Sequence, residues 1–219
     1  AWDVDGKGAS VSDHCTNGSH TTPKRVTPEF EEGTLYPSRE ATDFYHHYKE
    51  DIALMGELGF KMFRMSISWS RIFPTGMDEK PNQEGLDFYR NVFEELRAHN
   101  IEPLVTLHHF DTPLGLIMKY GDWQDRAYID YFVKYAETVF NEYKDLVKYW
   151  LTFNEINNTI AMAMFGFSFS DEDYKDRLTH LHYQFVASAK AVIAGHKINP
   201  DFMIGCMCSG MIVYPHTCD

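Results

Sequence analysis

Four stretches of the chain carry apolar side chains at helical spacing, with charged residues between them. This pattern is typical of a helix with one buried face. The first predicted helix runs from Thr42 to Leu58 and is followed by Gly59, a residue favoured just after a helix end. Asn82 is the predicted N-cap of the second helix. The apolar positions of the other three helices span residues 86–96, 128–140 and 178–193.

Short apolar, aromatic and β-branched runs separate these helices and predict strands. The predicted strands are Phe60–Ile67, Pro103–Leu107, Val147–Phe153 and Phe202–Ser209. Strands that alternate with helices are expected to pair in parallel through right-handed crossovers. No glycine-rich phosphate-binding turn follows any of these strands, which disfavours a dinucleotide-binding sheet. The predicted fold class is therefore α/β, as a (β/α)₈ TIM barrel of which this chain covers about half.

The remaining sequence supports a single, partial domain over residues 1–219. Residues 1–38 are rich in Gly, Ser, Thr, Pro and Asp and show no helical period, so we expect a long loop. A loop of this length usually serves a function or belongs to something larger, so we expect the domain to begin upstream of Ala1. A half-barrel leaves two strand edges unpaired, which predicts association or poor solubility.

Composition narrows the range of partners. The net charge of −12 argues against nucleic acid or an anionic membrane surface as a partner, although acidity alone also fits simple solubility. No apolar stretch approaches the roughly 20 residues of a membrane helix, and no signal peptide is visible at Ala1. We interpret the four cysteines as small buried thiols of a reducing compartment, because they are too few and too scattered for a disulfide framework. They are Cys15, Cys206, Cys208 and Cys218.

Polar side chains accompany three successive predicted strands. Arg64 lies within the first, His108 and His109 end the second, and Asn154 and Glu155 end the third. Catalytic groups of β/α barrels sit at the carboxyl ends of the strands, so we expect these residues at one rim. Asn and His can hydrogen-bond sugar hydroxyls, and a Glu of raised pKa can protonate a leaving oxygen. An Arg can orient the second carboxylate that a retaining glycosidase needs about 5 Å from the first.

Three of these residues also have a structural interpretation. Arg64 is consistent with a structural ion pair. The two histidines, His108 and His109, are consistent with one buried and one exposed side chain. A metal site requires a third ligand, and no H-E-x-x-H motif is present, so neither a metal nor an organic cofactor is predicted.

Other conspicuous residues have mainly structural interpretations. Trp69 and Trp150 are predicted core aromatics, and His46 and His47 a solvated helical pair. The patch formed by Met162, Met164, Phe165 and Phe167 fits either ordinary packing or a lid over an aglycone pocket.

Three motifs resemble those of the family 1 glycoside hydrolases. LTFNEIN resembles their acid/base motif, FRMSISWSRIFPTG their second-strand motif, and VTLHHFDTPLGL followed by YGDW their third-strand motif. The opening AWDVDGKGASVSD and the closing IGCMCSGMIVYPHTC resemble the 6-phospho-β-glucosidase branch. So does Ile156, where many plain β-glucosidases carry proline. The resemblance runs over the whole chain in the right order.

This resemblance implies a role for each rim residue. Glu155 corresponds to the general acid/base, Asn154 to the contact with the sugar 2-hydroxyl, and His109 to the contact with the 3-hydroxyl. Arg64 corresponds to the arginine beside the nucleophile. Phe110 stands where many relatives have Trp, which is expected to alter sugar stacking slightly.

The function implied is that of a retaining 6-phospho-β-glucosidase, of which this chain is the N-terminal half with strands two to five. By the same resemblance, the first strand is expected before Ala1, and the nucleophile of a T-E-N-G type segment and the 6-phosphate loop after Asp219. The substrate is expected to be a small β-glycoside such as cellobiose 6-phosphate, and the location cytoplasmic. A plain β-glucosidase, a 6-phospho-β-galactosidase and a catalytically silent half-barrel that binds sugar or a partner are the alternatives.

Overall fold

The fold is built on one parallel sheet of four strands in the order β1-β2-β3-β4. It is described by a computed structural model covering residues 4–158, 174–210 and 217. The strands are β1 (Met62–Ser66), β2 (Glu102–His108), β3 (Tyr149–Phe153) and β4 (Met203–Gly205). Every neighbouring pair is parallel. The four predicted strands and their parallel pairing are confirmed, although β4 is shorter than predicted.

Helices connect these strands. They are α1 (Phe44–Glu57), α2 (Trp69–Ile72), α3 (Gln83–Ala98), α4 (Leu114–Tyr120), α5 (Ala127–Tyr143) and α6 (Tyr174–Ile198), with 3-10 helices at Val11–His14, Pro37–Arg39 and Ile156–Asn158. The four predicted helices correspond to α1, α3, α5 and α6. The sequence analysis missed α2 and α4, because both are too short to establish a helical period. No helix in the described ranges is long and apolar enough to cross a membrane.

The loop preceding α1 crosses the connections that follow β1 and β2. Its backbone bonds link Gly8 to Ser70 and Val11 to Thr112, at 2.9 and 3.0 Å. Asn82 precedes α3 as predicted, but its side chain makes no capping bond. Its amide instead donates to the carbonyl of Asp5 at 2.6 Å. The predicted loop is therefore irregular but firmly attached to the sheet.

The two faces of the sheet differ in burial. One face packs against the helices and forms the core. Trp150 of β3 and Trp69 of α2 are fully buried there, as predicted. We call the other side the open face; it carries Met62, Arg64 and Ser66 of β1. Met62 is 46% exposed. The open face therefore carries the polar side chains that can meet a ligand, whereas the apolar side chains buried on the helical face stabilise the fold.

The interpretation of the cysteines as buried thiols is wrong for two of them. Cys206 and Cys208 are exposed. Strand β4 ends at Gly205 and forms an edge of the described sheet, so no further described strand covers the residues that follow it. Cys15 is partly buried, and Cys218 lies outside the described residues.

Tyr135 of α5 ties the helical layer to the sheet. Its buried hydroxyl lies 3.2 Å from the carbonyl oxygen of Ile67 and 3.0 Å from that of Leu107. We expect Tyr135→Phe to lower the free energy of unfolding by about 1–3 kcal/mol, because the hydroxyl proton that these two buried carbonyls share is lost. Denaturant titration measures this change. Tyr131→Phe is the matched control, since the hydroxyl of Tyr131 lies 3.4 Å from that of Tyr120 rather than near a backbone carbonyl of the described residues. An equal effect of both variants would contradict the prediction.

Candidate active site

The carboxyl ends of β1, β2 and β3 lie side by side and gather the candidate residues at one rim. The register pairs Ser66 with Thr106, and His108 with Phe153. The backbone N–H of Asn154 donates to the carbonyl of His108 at 2.9 Å, which carries the ladder one residue beyond β3. The rim is therefore a continuous edge on which polar side chains of three strands meet.

Arg64 and Asn154 are in direct contact. Nη2 of Arg64 donates to Oδ1 of Asn154 at 2.6 Å, and Nε donates to Oγ1 of Thr106 at 3.2 Å. A guanidinium has no acceptor, so it fixes Asn154 with its carbonyl oxygen towards Arg64, and no acceptor for the amide NH₂ is found among the described residues. These described partners of Arg64 are neutral groups, in contrast to the ion pair considered above.

The histidine pair divides into one buried and one exposed side chain, as the structural interpretation anticipated. His108 is buried, with ring centroids 5.9 Å from Trp123 and 5.2 Å from Phe153. His109 is exposed, and its Nδ1 lies 3.0 Å from Oγ of Ser66. Partial desolvation lowers the pKa of His109; Asp111 opposes this effect, whereas the charge of Arg64 adds to it.

The strict alternation of side chains breaks at the end of β3. Thr152 faces the helices, with its Oγ1 2.7 Å from Oγ of Ser188 in α6. Phe153 also faces the helices and stacks on Phe132 of α5, with ring centroids 4.6 Å apart. Asn154 then turns to the open face and meets Arg64. A period of two that continues from Thr152 therefore assigns the wrong face to both Phe153 and Asn154.

Glu155 follows directly and adopts an unusual backbone conformation. Its φ is 45°, in the left-handed region that non-glycine residues rarely occupy. The side chain is half-buried, and its Oε2 accepts a hydrogen bond from Nδ2 of Asn158 at 2.9 Å. Phe110, after β2, also has a positive φ, of 60°. Both rim turns therefore contain a residue in a strained backbone conformation, of a kind that also occurs at five other described non-glycine positions.

The turn after β3 is fastened to the segment that follows β4. The side chain of Asn157 bonds the backbone of Ser209 in both directions, at 2.8 and 2.9 Å. The N–H of Ile156 donates to the carbonyl of Met207 at 3.1 Å. Together with the bond from the N–H of Asn154 to the carbonyl of His108, these bonds hold the chain on both sides of Glu155 without using its carboxylate.

Three contact residues were missed by the sequence analysis: Ser66, Thr106 and Asn158. The available signal for Ser66 and Thr106 was a polar residue within a predicted strand, but only the strand register reveals their contacts. Asn158 follows the predicted strand and gave no such signal. The predicted lid at Met162–Phe167 lies outside the described residues. His46 and His47 lie on the exposed side of α1, as predicted. The described ranges contain no group of three or more potential metal ligands.

His108 makes the stability of the fold depend on pH. Desolvation lowers its pKa from 6.5 to about 4, with Asp111 opposing and His109 adding to the effect. Between these values the unfolded chain binds a proton that the folded chain does not, so stability falls as the pH drops from 6.5 towards 4. The expected slope reaches about 1.4 kcal/mol per pH unit.

This dependence can be measured by denaturant titration at several pH values. His108→Gln removes the titrating group and is expected to flatten the profile in that window. His196→Gln, at an exposed position of α6, is the control for replacing a histidine by glutamine. A wild-type slope that survives His108→Gln would contradict the assignment.

Parallel strands alternating with helices, and a polar rim at their carboxyl ends, define a β/α-barrel enzyme site. The profile of Glycosyl hydrolase family 1 matches residues 1–219. The chain therefore belongs to glycosyl hydrolase family 1, and the resemblance drawn from its motifs is confirmed.

Curated relatives and solved structures agree with this assignment. The chain is 50% identical to a 6-phospho-beta-glucosidase of Clostridium longisporum, over 99% of this chain and 46% of that protein. It is 48% identical to the aryl-phospho-beta-D-glucosidase BglA of Bacillus subtilis, over 98% of this chain and 47% of that protein. A family 1 β-glucosidase structure from Thermotoga maritima superposes with a TM-score of 0.86 at 29% identity, over 100% of this chain and 47% of that one. The chain thus spans about half the length of its relatives, and the predicted fold class, half of a TIM barrel, is confirmed.

Proposed function

We propose that this chain supplies the acid/base half of a retaining β-glucosidase site that acts on 6-phospho-β-glucosides such as cellobiose 6-phosphate. The observation that carries the proposal is the rim itself. Glu155 follows β3, half-buried and held by Asn158, beside an Asn154 that is fixed by Arg64. The phosphorylated substrate is supported by the names of the two curated relatives.

The mechanism needs two carboxylates in different roles. Glu155 protonates the glycosidic oxygen while a second carboxylate attacks the anomeric carbon and forms a covalent glycosyl-enzyme. Glu155 then deprotonates a water molecule, which releases the sugar. The 219 residues contain no T-E-N-G type segment, and we propose that the nucleophile comes from strands other than the four described.

The remaining rim residues orient the sugar. Asn154, with its carbonyl oxygen turned to Arg64, offers its NH₂ to the 2-hydroxyl. His109, directly after the adjacent strand, contacts the 3-hydroxyl in this proposal. Arg64 orients the nucleophilic carboxylate. The partner is then a small phosphorylated β-glycoside rather than nucleic acid or a membrane, and its formation inside cells favours a cytoplasmic location.

A chimera tests the proposal. Residues 1–219 replace the matching segment of the Clostridium longisporum relative, which supplies the rest of the barrel and, by the expectation above, the 6-phosphate loop. Hydrolysis of p-nitrophenyl β-glucoside 6-phosphate, its unphosphorylated form and the galactoside 6-phosphate is compared between the chimera and the intact relative. We expect the two proteins to share their order of preference among the three substrates, because residues 1–219 fit the same substrate. A folded chimera whose preference moves to the unphosphorylated glucoside or to the galactoside would contradict the proposal and favour the corresponding alternative.

A further inference from the structure

Ser66 has a defined contact with the exposed histidine of the rim. It is the last residue of β1 and lies two positions after Arg64, so both side chains are on the open face. Its Oγ lies 3.0 Å from Nδ1 of His109, the residue that follows β2. The contact joins two neighbouring strands, and the proposed mechanism gives it no role.

The chemical character of His109 depends on which ring nitrogen carries the proton. A neutral imidazole has one N–H donor and one acceptor nitrogen, and the hydrogen bond made by one nitrogen decides the role of the other. Desolvation and the charge of Arg64 lower the pKa of His109, which favours the neutral ring at pH 7. The tautomer therefore decides whether Nε2 donates or accepts.

The described contacts of Ser66 favour one arrangement. Its hydroxyl has a single proton, and among the described contacts the acceptor within reach is Nδ1 of His109. A proton on Nδ1 would leave the hydroxyl proton of Ser66 without a described protein acceptor. Arg64, which shares the open face, has only donors and cannot serve as that acceptor.

We propose that Ser66 is a positioning residue that donates its hydroxyl proton to Nδ1 of His109 and holds the ring in its Nε2–H tautomer. Nε2–H is then a donor towards the site, as is the NH₂ of Asn154. Two adjacent hydroxyls of the ligand accept from these groups. The part that concerns the ligand rests on the proposed function, whereas the tautomer does not.

The tautomer can be read directly in the 219-residue chain by long-range proton–nitrogen correlation NMR at pH 7.5. His109→Gln assigns the signals by their loss. In the wild-type chain we expect Nε2 of His109 to carry the proton and Nδ1 to be unprotonated. Ser66→Thr, which keeps the hydroxyl, is expected to preserve this state. Ser66→Ala is expected to give a mixture of tautomers and a higher pKa of His109.

Ser68→Ala is the matched control, because the Ser68 hydroxyl contacts that of Ser70 at 3.3 Å rather than a histidine. It is expected to leave the tautomer unchanged. A protonated Nδ1 in the wild-type chain would overturn the proposal without any variant having to fold. A tautomer unaffected by Ser66→Ala would also overturn it. Neither outcome depends on glycosidase activity, so neither is confused with failure of the proposed function.

The part that concerns the ligand has its own readout in the chimera. We expect Ser66→Ala to lower kcat/KM about fivefold, the equivalent of one ordinary hydrogen bond, with recovery in Ser66→Thr. An unchanged kcat/KM in Ser66→Ala would overturn the donation from His109 to the sugar.

Discussion

Replacing Glu155 with glutamine in the chimera is expected to lower turnover of glycosides with poor leaving groups by about 10²- to 10⁴-fold. Glutamine keeps the size of the side chain and can still accept the hydrogen bond from Asn158. It cannot, however, give a proton to the glycosidic oxygen. The loss is therefore chemical, and far-UV circular dichroism and the unfolding midpoint should stay close to those of the parent protein.

The leaving group separates this role from a general loss of function. An activated aryl leaving group needs little protonation, so formation of the glycosyl-enzyme from such substrates should be much less affected than from alkyl glycosides. Glu57→Gln is the matched control, because Glu57 is an exposed carboxylate at the end of α1. Wild-type turnover of alkyl glycosides by the Glu155→Gln variant would contradict the assignment.

Phe132→Ala is expected to lower the free energy of unfolding of the 219-residue chain by about 3–5 kcal/mol. The ring is fully buried in α5. It stacks on Phe153 at 4.6 Å between centroids and meets the edges of Trp69 at 5.7 Å and Trp123 at 6.0 Å. Truncation leaves a cavity at the centre of this aromatic cluster, and rigid neighbouring rings cannot collapse to fill it.

Denaturant titration measures the loss, and Phe185→Ala provides the comparison. Phe185 lies on α6 with 49% of its surface exposed, so its truncation should cost well under about 1 kcal/mol. Equal losses in the two variants would show that Phe132 is not central to packing. Phe153 directly precedes Asn154, so the packing of this cluster also fixes the position of the rim. We therefore expect Phe132→Ala to lower kcat/KM in the chimera as well.

The regular elements could be predicted because their patterns are long. In α3 and α5, apolar residues recur over several turns, and the strands between them are short β-branched runs. The short helices α2 and α4 could not be predicted, since a helix of four to seven residues shows too few repeats. The exposure of Cys206 was missed because an alternating pattern does not tell where a strand stops pairing.

The rim shows the same division between local and non-local information. Arg64, Asn154 and Glu155 could be selected because they stand within or directly after a predicted strand. Their neighbours could not, because the contact of Arg64 with Thr106 depends on register across 42 residues. The orientation of Asn154 towards the open face could not be predicted either, because Thr152 and Phe153 both face the helices and interrupt the alternation of the strand.

The central claim is that Glu155 is the acid/base of a retaining site whose nucleophile lies outside these residues. Its most direct measurement is hydrolysis of cellobiose 6-phosphate, which has a poor leaving group, by the 219-residue chain alone, by the chimera and by the chimera that carries Glu155→Gln. We expect activity from the chimera, none from the chain alone, and a loss of about 10²- to 10⁴-fold in the Glu155→Gln chimera. Activity of the chain alone would mean that a carboxylate within these residues is the nucleophile. That result, or a correctly folded chimera without activity, would contradict the claim.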